Sequence, residues 1–162
     1  MFPPEILKDA ETLLEMAKCN KRKIATAESC TGGLIAGCLT SIPGSAEVVD
    51  RGFVTYSNEA KNELLGVAMD LIDDKGAVSS EVAVAMVEGA LGHSRADLAV
   101  SCTGIAGPTG DSDTKKIGLV YMAAMRGDGE RIVERHEFGN IGRENVRLET
   151  VRAALSLLRK LV

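Results

Sequence analysis

Residues 23–33 read KIATAESCTGG, and this stretch predicts both the fold and the candidate site. Its first five residues are typical of a short strand, and we expect a turn at Glu28-Ser29 and a helix from about Thr31. Gly32 and Gly33 allow the chain to turn tightly and allow another backbone or a ligand to come close. The stretch therefore predicts a strand–turn–helix unit.

The same turn carries reactive groups. The hydroxyl of Ser29 and the thiol of Cys30 fall where a helix N-terminus presents free N–H groups and a partial positive charge. Such a place can stabilise an anion or a developing oxyanion. It is also a common way to begin a helix, so the pattern by itself leaves a functional and a purely structural interpretation open.

Composition restricts the class of protein. The 162 residues predict one domain, residues 1–162, long enough to bury a sizeable core. A net charge of -4 and an aromatic content of 3% argue against a nucleic-acid surface, which needs a basic stripe or stacking side chains. No apolar run is long enough to span a membrane, and residues 1–5 do not begin a signal peptide. The four cysteines form no CxxC pair, so we expect reduced thiols and a cytoplasmic protein.

Hydrophobic periodicity predicts the order α-β-α-β-α-α-β-β-β-α, with a further helical turn over 70–75. The predicted strands cover 23–27, 48–56, 97–101, 117–125 and 131–138. Strands first alternate with helices, and a hairpin across Gly127-Asp128-Gly129 follows late in the chain. This order predicts an α/β fold of three layers, α/β/α, in which helices cover both faces of a mixed sheet.

A second unusual stretch is the glycine-rich segment from Cys102 to Gly110. Its successive N–H groups could form a nest for a phosphate or an oxyanion. It lacks the Gly-Lys-Ser/Thr ending of a Walker sequence. Without other information, the segment could also be only a tight connection.

Four spaced motifs together resemble the CinA C-terminal domain family: AESCTGG at 27–33, YSNEAK at 56–61, GAVS at 76–79 and TGIAGP at 103–108. The resemblance runs from about residue 5 to the end of the chain. The characterised activity of this family is deamidation of nicotinamide mononucleotide. The resemblance thus implies a CinA C-terminal-like fold and hydrolysis of that carboxamide to nicotinate mononucleotide and ammonia, in recycling of pyridine nucleotides toward NAD.

Two features depart from the family pattern. Longer members carry an N-terminal domain that resembles molybdopterin-binding proteins and is linked to nucleotide pyrophosphatase activity. These 162 residues include no such domain, so we interpret the chain as the stand-alone short form. The segment Asp111–Lys116 stands where the family pattern has a second glycine and a Lys-Pro pair, which leaves its part in substrate binding open.

Hydrolysis of an amide needs an activated nucleophile, a proton carrier and stabilisation of the oxyanion. Position and resemblance together indicate Ser29 as the nucleophile and Lys61 as the general base, a Ser-Lys pairing. The alternatives are a helix-capping hydroxyl and a solvated lysine. Holding an unperturbed lysine neutral at pH 7 costs roughly 4–5 kcal/mol, so the site must lower the pKa of Lys61 by burial or by nearby cations.

Other residues complete the predicted site. Cys30 and Ser45 are rival nucleophiles, and Tyr56 could hydrogen-bond the nucleophile, the oxyanion or the leaving ammonia. Arg143 is a plausible phosphate ligand at the start of the last helix, and Arg147, one turn later, is a weaker one. The predicted substrate contacts are Gly32, Ser45, Thr103, Gly104, Gly107 and Arg143.

Other chemistries find less support. His93 and His136 lie in no matching motif, which argues against a Ser-His-Asp arrangement. Asp111 and Asp113 have no further ligand set, so we expect no metal, no cofactor and activity that survives chelators. The expected partner is the small-molecule substrate, and the resemblance implies a homo-oligomer. A non-catalytic module that binds a phosphorylated ligand, with a regulatory role in competence or DNA damage, is the alternative; a nucleotide pyrophosphatase is weaker.

Overall fold

Five strands form a single sheet in the computed structural model, which describes residues 1–162. In chain order the strands are β1 (Ile24–Glu28), β2 (Val49–Val54), β3 (Leu98–Gly104), β4 (Leu119–Arg126) and β5 (Arg131–Glu137). Their order across the sheet is β2-β1-β3-β4-β5. β1 pairs in parallel with β2 and β3, whereas β4 runs antiparallel to β3 and β5. The sheet is mixed, as the sequence predicts.

Six α-helices cover the two faces of this sheet. They are α1 (Pro4–Cys19), α2 (Leu34–Thr40), α3 (Asn58–Leu65), α4 (Met69–Lys75), α5 (Ser80–Gly92) and α6 (Arg143–Leu161), and a short 3-10 helix spans Ser45–Glu47. α1, α2 and α6 pack together over one face, in a core of 26 buried residues. α3, α4 and α5 pack over the other, in a core of 12. This arrangement confirms the predicted three-layer fold.

Small side chains let the second helical layer lie close to the sheet. The strands present four buried alanines to that layer: Ala25, Ala27, Ala99 and Ala123. Within the layer, α5 approaches the end of α3 so closely that a Cβ on Gly89 would lie 2.0 Å from the carbonyl oxygen of Leu65. Only glycine is compatible with that contact.

Strand direction places the candidate residues at one edge of the sheet. The parallel strands β1 and β3 end side by side, but β1 connects to β2 on one side and β3 connects to β4 on the other. This is a topological switch point, the place where ligands bind in open α/β sheets. α2 and α3 begin where β1 and β2 end, and α6 begins at the same edge because β5 runs in the same direction as β3.

Several element bounds differ from the sequence-based prediction; β2, for example, ends at Val54 rather than at residue 56. α2 begins at Leu34 rather than at about Thr31, because Gly32 and Gly33 adopt positive φ values of 59° and 96° and extend the turn. β3 continues to Gly104 because it pairs with β4 along its whole length, so Thr103 belongs to the strand. The expected helical turn over 70–75 is the helix α4, which makes three helices between β2 and β3 instead of two.

No helix combines the length and apolar character needed to cross a membrane.

Candidate active site

The central contact joins Ser29 and Lys61. Ser29 follows the last residue of β1 and is 9% exposed, whereas Lys61, on α3, is 1% exposed. Lys61 Nζ lies 3.1 Å from Ser29 Oγ, within hydrogen-bond distance. The fold therefore brings together the two residues predicted as nucleophile and general base, which are 32 positions apart in the chain.

The surroundings of Lys61 disfavour its charged form. Besides Ser29, the amine donates to the carbonyl oxygens of Thr55 at 2.9 Å and Tyr56 at 3.4 Å, and it forms no ion pair with a carboxylate. Burial lowers the pKa of Lys61, and only the nearby thiols of Cys30 and Cys102 act in the opposite direction. The two carbonyls thus accept hydrogen bonds from two N–H groups of Lys61. The remaining tetrahedral position on Nζ faces the Ser29 hydroxyl.

Glu28 organises the turn that carries Ser29. Its carboxylate is fully buried and has no cationic partner. It accepts hydrogen bonds from the hydroxyls of Thr26 (3.1 Å) and Thr31 (2.6 Å) and from the N–H groups of Gly33 (3.0 Å), Ile35 (3.0 Å) and Ala36 (2.8 Å). This carboxylate caps α2 from inside the fold. The N–H groups of Gly33, Ile35 and Ala36 are therefore taken up by Glu28 and do not remain free for an external anion.

We expect Glu28→Gln to destabilise the fold by about 2–4 kcal/mol. The amide would direct its two N–H groups at donors and would leave some N–H groups at the start of α2 without acceptors. Denaturant unfolding of Glu28→Gln should show a lower midpoint than wild type. Glu63→Gln, which changes an exposed glutamate on α3, is the matched control. An unchanged midpoint for Glu28→Gln would contradict this role.

Two N–H groups immediately after Ser29 remain free. Those of Cys30 and Thr31 donate to no acceptor in the chain, whereas the N–H groups of Ser29 and Gly32 bond Cys102 O and Ser29 O. Backbone donors next to a nucleophile are the usual components of an oxyanion hole. The N–H groups of Cys30 and Thr31 are therefore the candidate donors of an oxyanion hole in this turn.

The rival nucleophiles are less well placed. Cys30 is 5% exposed, and its contact with Cys102, followed by burial, raises the pKa of its thiol well above the usual range. A protonated buried thiol is a poor nucleophile. Ser45 lies in the 3-10 helix that leads into β2, near the amino end of β1. The structure thus separates Ser45 from Ser29 by the length of β1.

Tyr56, Arg143 and Gly107 form a bridge beside the Ser29–Lys61 pair. The Tyr56 side chain is 61% exposed, and its hydroxyl accepts a hydrogen bond from Arg143 Nη2 at 2.9 Å. Arg143 Nη1 donates to the Gly107 carbonyl at 2.8 Å. Tyr56 therefore contacts Lys61 through its main chain and Arg143 through its side chain. The bridge joins the β2–α3 connection, α6 and the glycine-rich segment.

The glycine-rich segment divides into a structural part and an open part. The Thr103 hydroxyl donates to Ala77 O at 2.7 Å, and a Cβ on Gly104 would lie 2.6 Å from Val120 Cγ2. Both residues thus make contacts within the fold, and these contacts do not support the prediction that Thr103 and Gly104 bind substrate. Beyond them, four N–H groups have no acceptor in the chain, those of Ala106, Gly107, Thr109 and Gly110.

Asp111–Lys116, the segment that departs from the family pattern, follows the far end of this loop. Asp111 accepts from the N–H of Ile117 at 2.7 Å, and Lys115 Nζ donates to Lys75 O at 3.1 Å, at the end of α4. The segment therefore holds the loop through its own contacts.

The structure forms no group of three or more His, Cys, Asp or Glu side chains that could hold a metal ion. The rings of His93 and His136 bond Gly89 O and Glu134.

Sequence reasoning missed Glu28 and underrated Arg147. For Glu28, a usable sign of internal capping was a charged residue at the end of an otherwise apolar strand, followed by Ser-Cys-Thr-Gly-Gly. Arg147 Nη2 donates to the carbonyl of Thr31 at 2.8 Å, and a Cβ on Gly32 would lie 3.4 Å from the same nitrogen. Nothing in the local sequence distinguishes this arginine from an exposed one, because the contact joins residues 116 positions apart.

Comparisons with known proteins agree with this fold. The family model described as the CinA C-terminal domain matches residues 7–162. The chain is similar to the nicotinamide-nucleotide amidohydrolase PncC of Escherichia coli K12, with 43% identity over 158 residues that cover 98% of this chain and 95% of that protein. Among solved structures, the competence/damage inducible protein CihA from Agrobacterium tumefaciens superposes with a TM-score of 0.98 at 48% identity, covering 99% of this chain and 98% of that one.

Other relatives are longer. A CinA-like protein of Syntrophobacter fumaroxidans is 48% identical over 136 residues, which cover 84% of this chain and 32% of that protein. A relative from Caldicellulosiruptor bescii is 49% identical over 151 residues, which cover 93% of this chain and 36% of that protein. The chain thus spans about a third of the length of these curated relatives.

Proposed function

The chain belongs to the CinA C-terminal domain family, and from that premise we propose that it is a nicotinamide-nucleotide amidohydrolase. It hydrolyses the carboxamide of nicotinamide mononucleotide to nicotinate mononucleotide and ammonia, in pyridine-nucleotide recycling. The observation that carries the proposal is the 3.1 Å contact between Lys61 Nζ and Ser29 Oγ, with the lysine buried and free of any carboxylate.

In the acylation step the neutral Lys61 amine removes the proton from Ser29 Oγ while that oxygen attacks the carboxamide carbon. The electron-withdrawing pyridinium of the substrate makes this carbon easier to attack. Negative charge then develops on the carboxamide oxygen, and the free N–H groups of Cys30 and Thr31 stabilise it. Glu28 accepts from the Thr31 hydroxyl, Arg147 donates to the Thr31 carbonyl, and Cys30 directly precedes this residue, so these contacts hold both donors in place.

In the second half of the reaction the proton moves to the leaving group. Lys61, now an ammonium, donates its proton to the carboxamide nitrogen as the C–N bond breaks, and ammonia leaves. Water then attacks the ester on Ser29, with Lys61 again accepting a proton and returning it to Ser29 Oγ. The Ser29 hydroxyl and the neutral amine are regenerated, and nicotinate mononucleotide is released.

Ammonia release from purified protein tests this function. We expect turnover of nicotinamide mononucleotide and formation of one nicotinate mononucleotide per ammonia. Nicotinamide riboside and free nicotinamide, offered in parallel, define the substrate class. Calorimetric binding of the mononucleotide without any ammonia would favour the alternative, a module that binds a phosphorylated ligand without turnover.

The lowered pKa of Lys61 predicts the pH dependence of the rate. Only the neutral amine can accept the serine proton, so kcat/KM should rise with pH through the pKa of Lys61 and then level off. Because burial lowers that pKa, the midpoint of the rise should lie at a pH below the ordinary lysine pKa, about 10.4. A pH–rate profile from about pH 5 to about pH 11.5, which includes the ordinary lysine pKa, measures it. A rise centred at the ordinary lysine value would contradict the assignment.

A further inference from the structure

Two cysteine side chains lie buried beneath the turn that carries Ser29. Cys30 is 5% exposed, and Cys102, on β3, is fully buried. Both belong to the core on the face of the sheet that α1, α2 and α6 cover. The proposed reaction uses neither thiol, since Ser29 supplies the nucleophile and Cys30 supplies only its main-chain N–H. A pair of thiols without a role therefore adjoins the site.

Contacts on both sides of Cys30 hold it against Cys102. The N–H of Ser29, the residue before Cys30, donates to Cys102 O at 3.1 Å. The hydroxyl of Thr31, the residue after Cys30, lies 3.1 Å from Cys102 Sγ. The strand ladder sets this approach, because Glu28 of β1 is the parallel partner of Cys102. Cys30 and Cys102 thus lie on adjacent segments of the chain, and their thiols share a hydrogen bond.

Spacing and charge both favour a bond between the two sulfurs. Backbones of adjacent strands run about 4.8 Å apart, and disulfides join Cα atoms that are about 4.4–6.8 Å apart. The hydrogen bond from Cys30 lowers the pKa of the Cys102 thiol. Lys61, whose pKa burial lowers and the two thiols raise, lies close enough to attract a thiolate. Cys102 can therefore ionise, and the thiolate is the form that reacts with oxidants.

We propose that Cys30 and Cys102 are an oxidative modification site, at which hydrogen peroxide forms a disulfide that switches the Ser29 site off and a thiol reductant restores it. The Cys102 thiolate attacks one peroxide oxygen, which gives a sulfenic acid and hydroxide. The Cys30 thiol then displaces the hydroxyl group from that sulfur, and water leaves. The hydroxide takes up the proton that Cys102 released. The two sulfurs lose two electrons in total, and the peroxide is reduced to two molecules of water.

The disulfide switches the site off by moving the oxyanion donors, and this part of the inference rests on the proposed function. A disulfide holds its sulfurs about 2.0 Å apart, so the turn and β3 must come closer together. The N–H groups of Cys30 and Thr31 move with the turn. A misplacement of about 1 Å near the reacting atoms costs roughly 100-fold in rate. We therefore expect ammonia release to slow by about 10- to 100-fold on oxidation.

Peptide mapping tests the bond without an activity assay. Full-length protein is treated with hydrogen peroxide, its remaining thiols are blocked, and it is digested with trypsin in the absence of reductant. We expect a cross-link between Ile24–Arg51 and Ala96–Lys115, lighter than the two reduced peptides by two hydrogen atoms and released by dithiothreitol. Because the first peptide also contains Cys38, Cys38→Ala is the matched control and should keep the cross-link. A peroxide-treated protein without this cross-link would overturn the proposal.

Ammonia release before and after peroxide treatment tests the switch. Wild type and Cys38→Ala should lose activity by about 10- to 100-fold and regain it with dithiothreitol, whereas Cys102→Ala should keep its own untreated rate. Equal losses in Cys102→Ala and wild type, or full activity in cross-linked wild type, would overturn the switch. Cys30→Ser replaces Cys102→Ala if thermal unfolding shows that the latter does not fold. A cross-link in a protein that releases no ammonia would contradict the proposed function and still support the disulfide.

Discussion

Ser29→Ala should lower kcat for ammonia release from nicotinamide mononucleotide by about 10⁴-fold or more, because no other hydroxyl or thiol is hydrogen-bonded to Lys61 Nζ and ready to attack the carboxamide. KM should change little, since Ser29 reacts with the substrate but is not proposed to bind its phosphate. A coupled ammonia assay with purified variant and wild type measures both constants.

Ser156→Ala, which changes an exposed serine on α6, is the control for this measurement and should retain wild-type rates. Because Ser29 is nearly buried and contacts Lys61, the unfolding midpoint of Ser29→Ala should also be compared with wild type. A correctly folded Ser29→Ala with more than a tenth of the wild-type kcat would exclude Ser29 as the nucleophile.

Lys61→Met should lower kcat by about 10³- to 10⁴-fold, because the serine hydroxyl loses the group that accepts its proton. Methionine has a similar length and removes a buried ionisable group, so we expect the variant to fold. Lys61→Arg should not restore activity, since a guanidinium stays protonated. Lys8→Met, at an exposed position of α1, is the control and should be silent.

The two substitutions should not be additive. If Ser29 and Lys61 act as one unit, the double variant Ser29→Ala/Lys61→Met should be no slower than Ser29→Ala alone. Losses that multiply would mean that Lys61 contributes independently of Ser29, for example by binding the substrate. That outcome would contradict the general-base role.

The layer arrangement could be predicted from the sequence because it depends on local patterns. Alternation of apolar strands and amphipathic helices, followed by a hairpin signal at Gly127-Asp128-Gly129, determines a mixed sheet with helices on both faces. Boundaries were less accurate where pairing decides them. β3 runs to Gly104 because β4 lies beside it, and no local property of Cys102–Gly104 reports that neighbour.

The candidate site could be predicted only in part. Position in the sequence and the family resemblance together predict the Ser29–Lys61 pairing, whereas the burial that lowers the pKa of Lys61 depends on packing of α3. The internal cap by Glu28 and the contact of Arg147 with Thr31 also join distant elements. Long-range contacts of this kind leave no periodic signal in the sequence. The homo-oligomer and the cytoplasmic location stay predictions.

The most direct test is mass spectrometry of the protein quenched in acid during turnover of nicotinamide mononucleotide. We expect an ester of nicotinate mononucleotide on the peptide that contains Ser29, and fragmentation should assign it to the Ser29 side chain. The adduct should be absent from Ser29→Ala. An adduct located on Cys30 or Ser45 in an active enzyme would contradict the claim that the buried lysine amine activates Ser29.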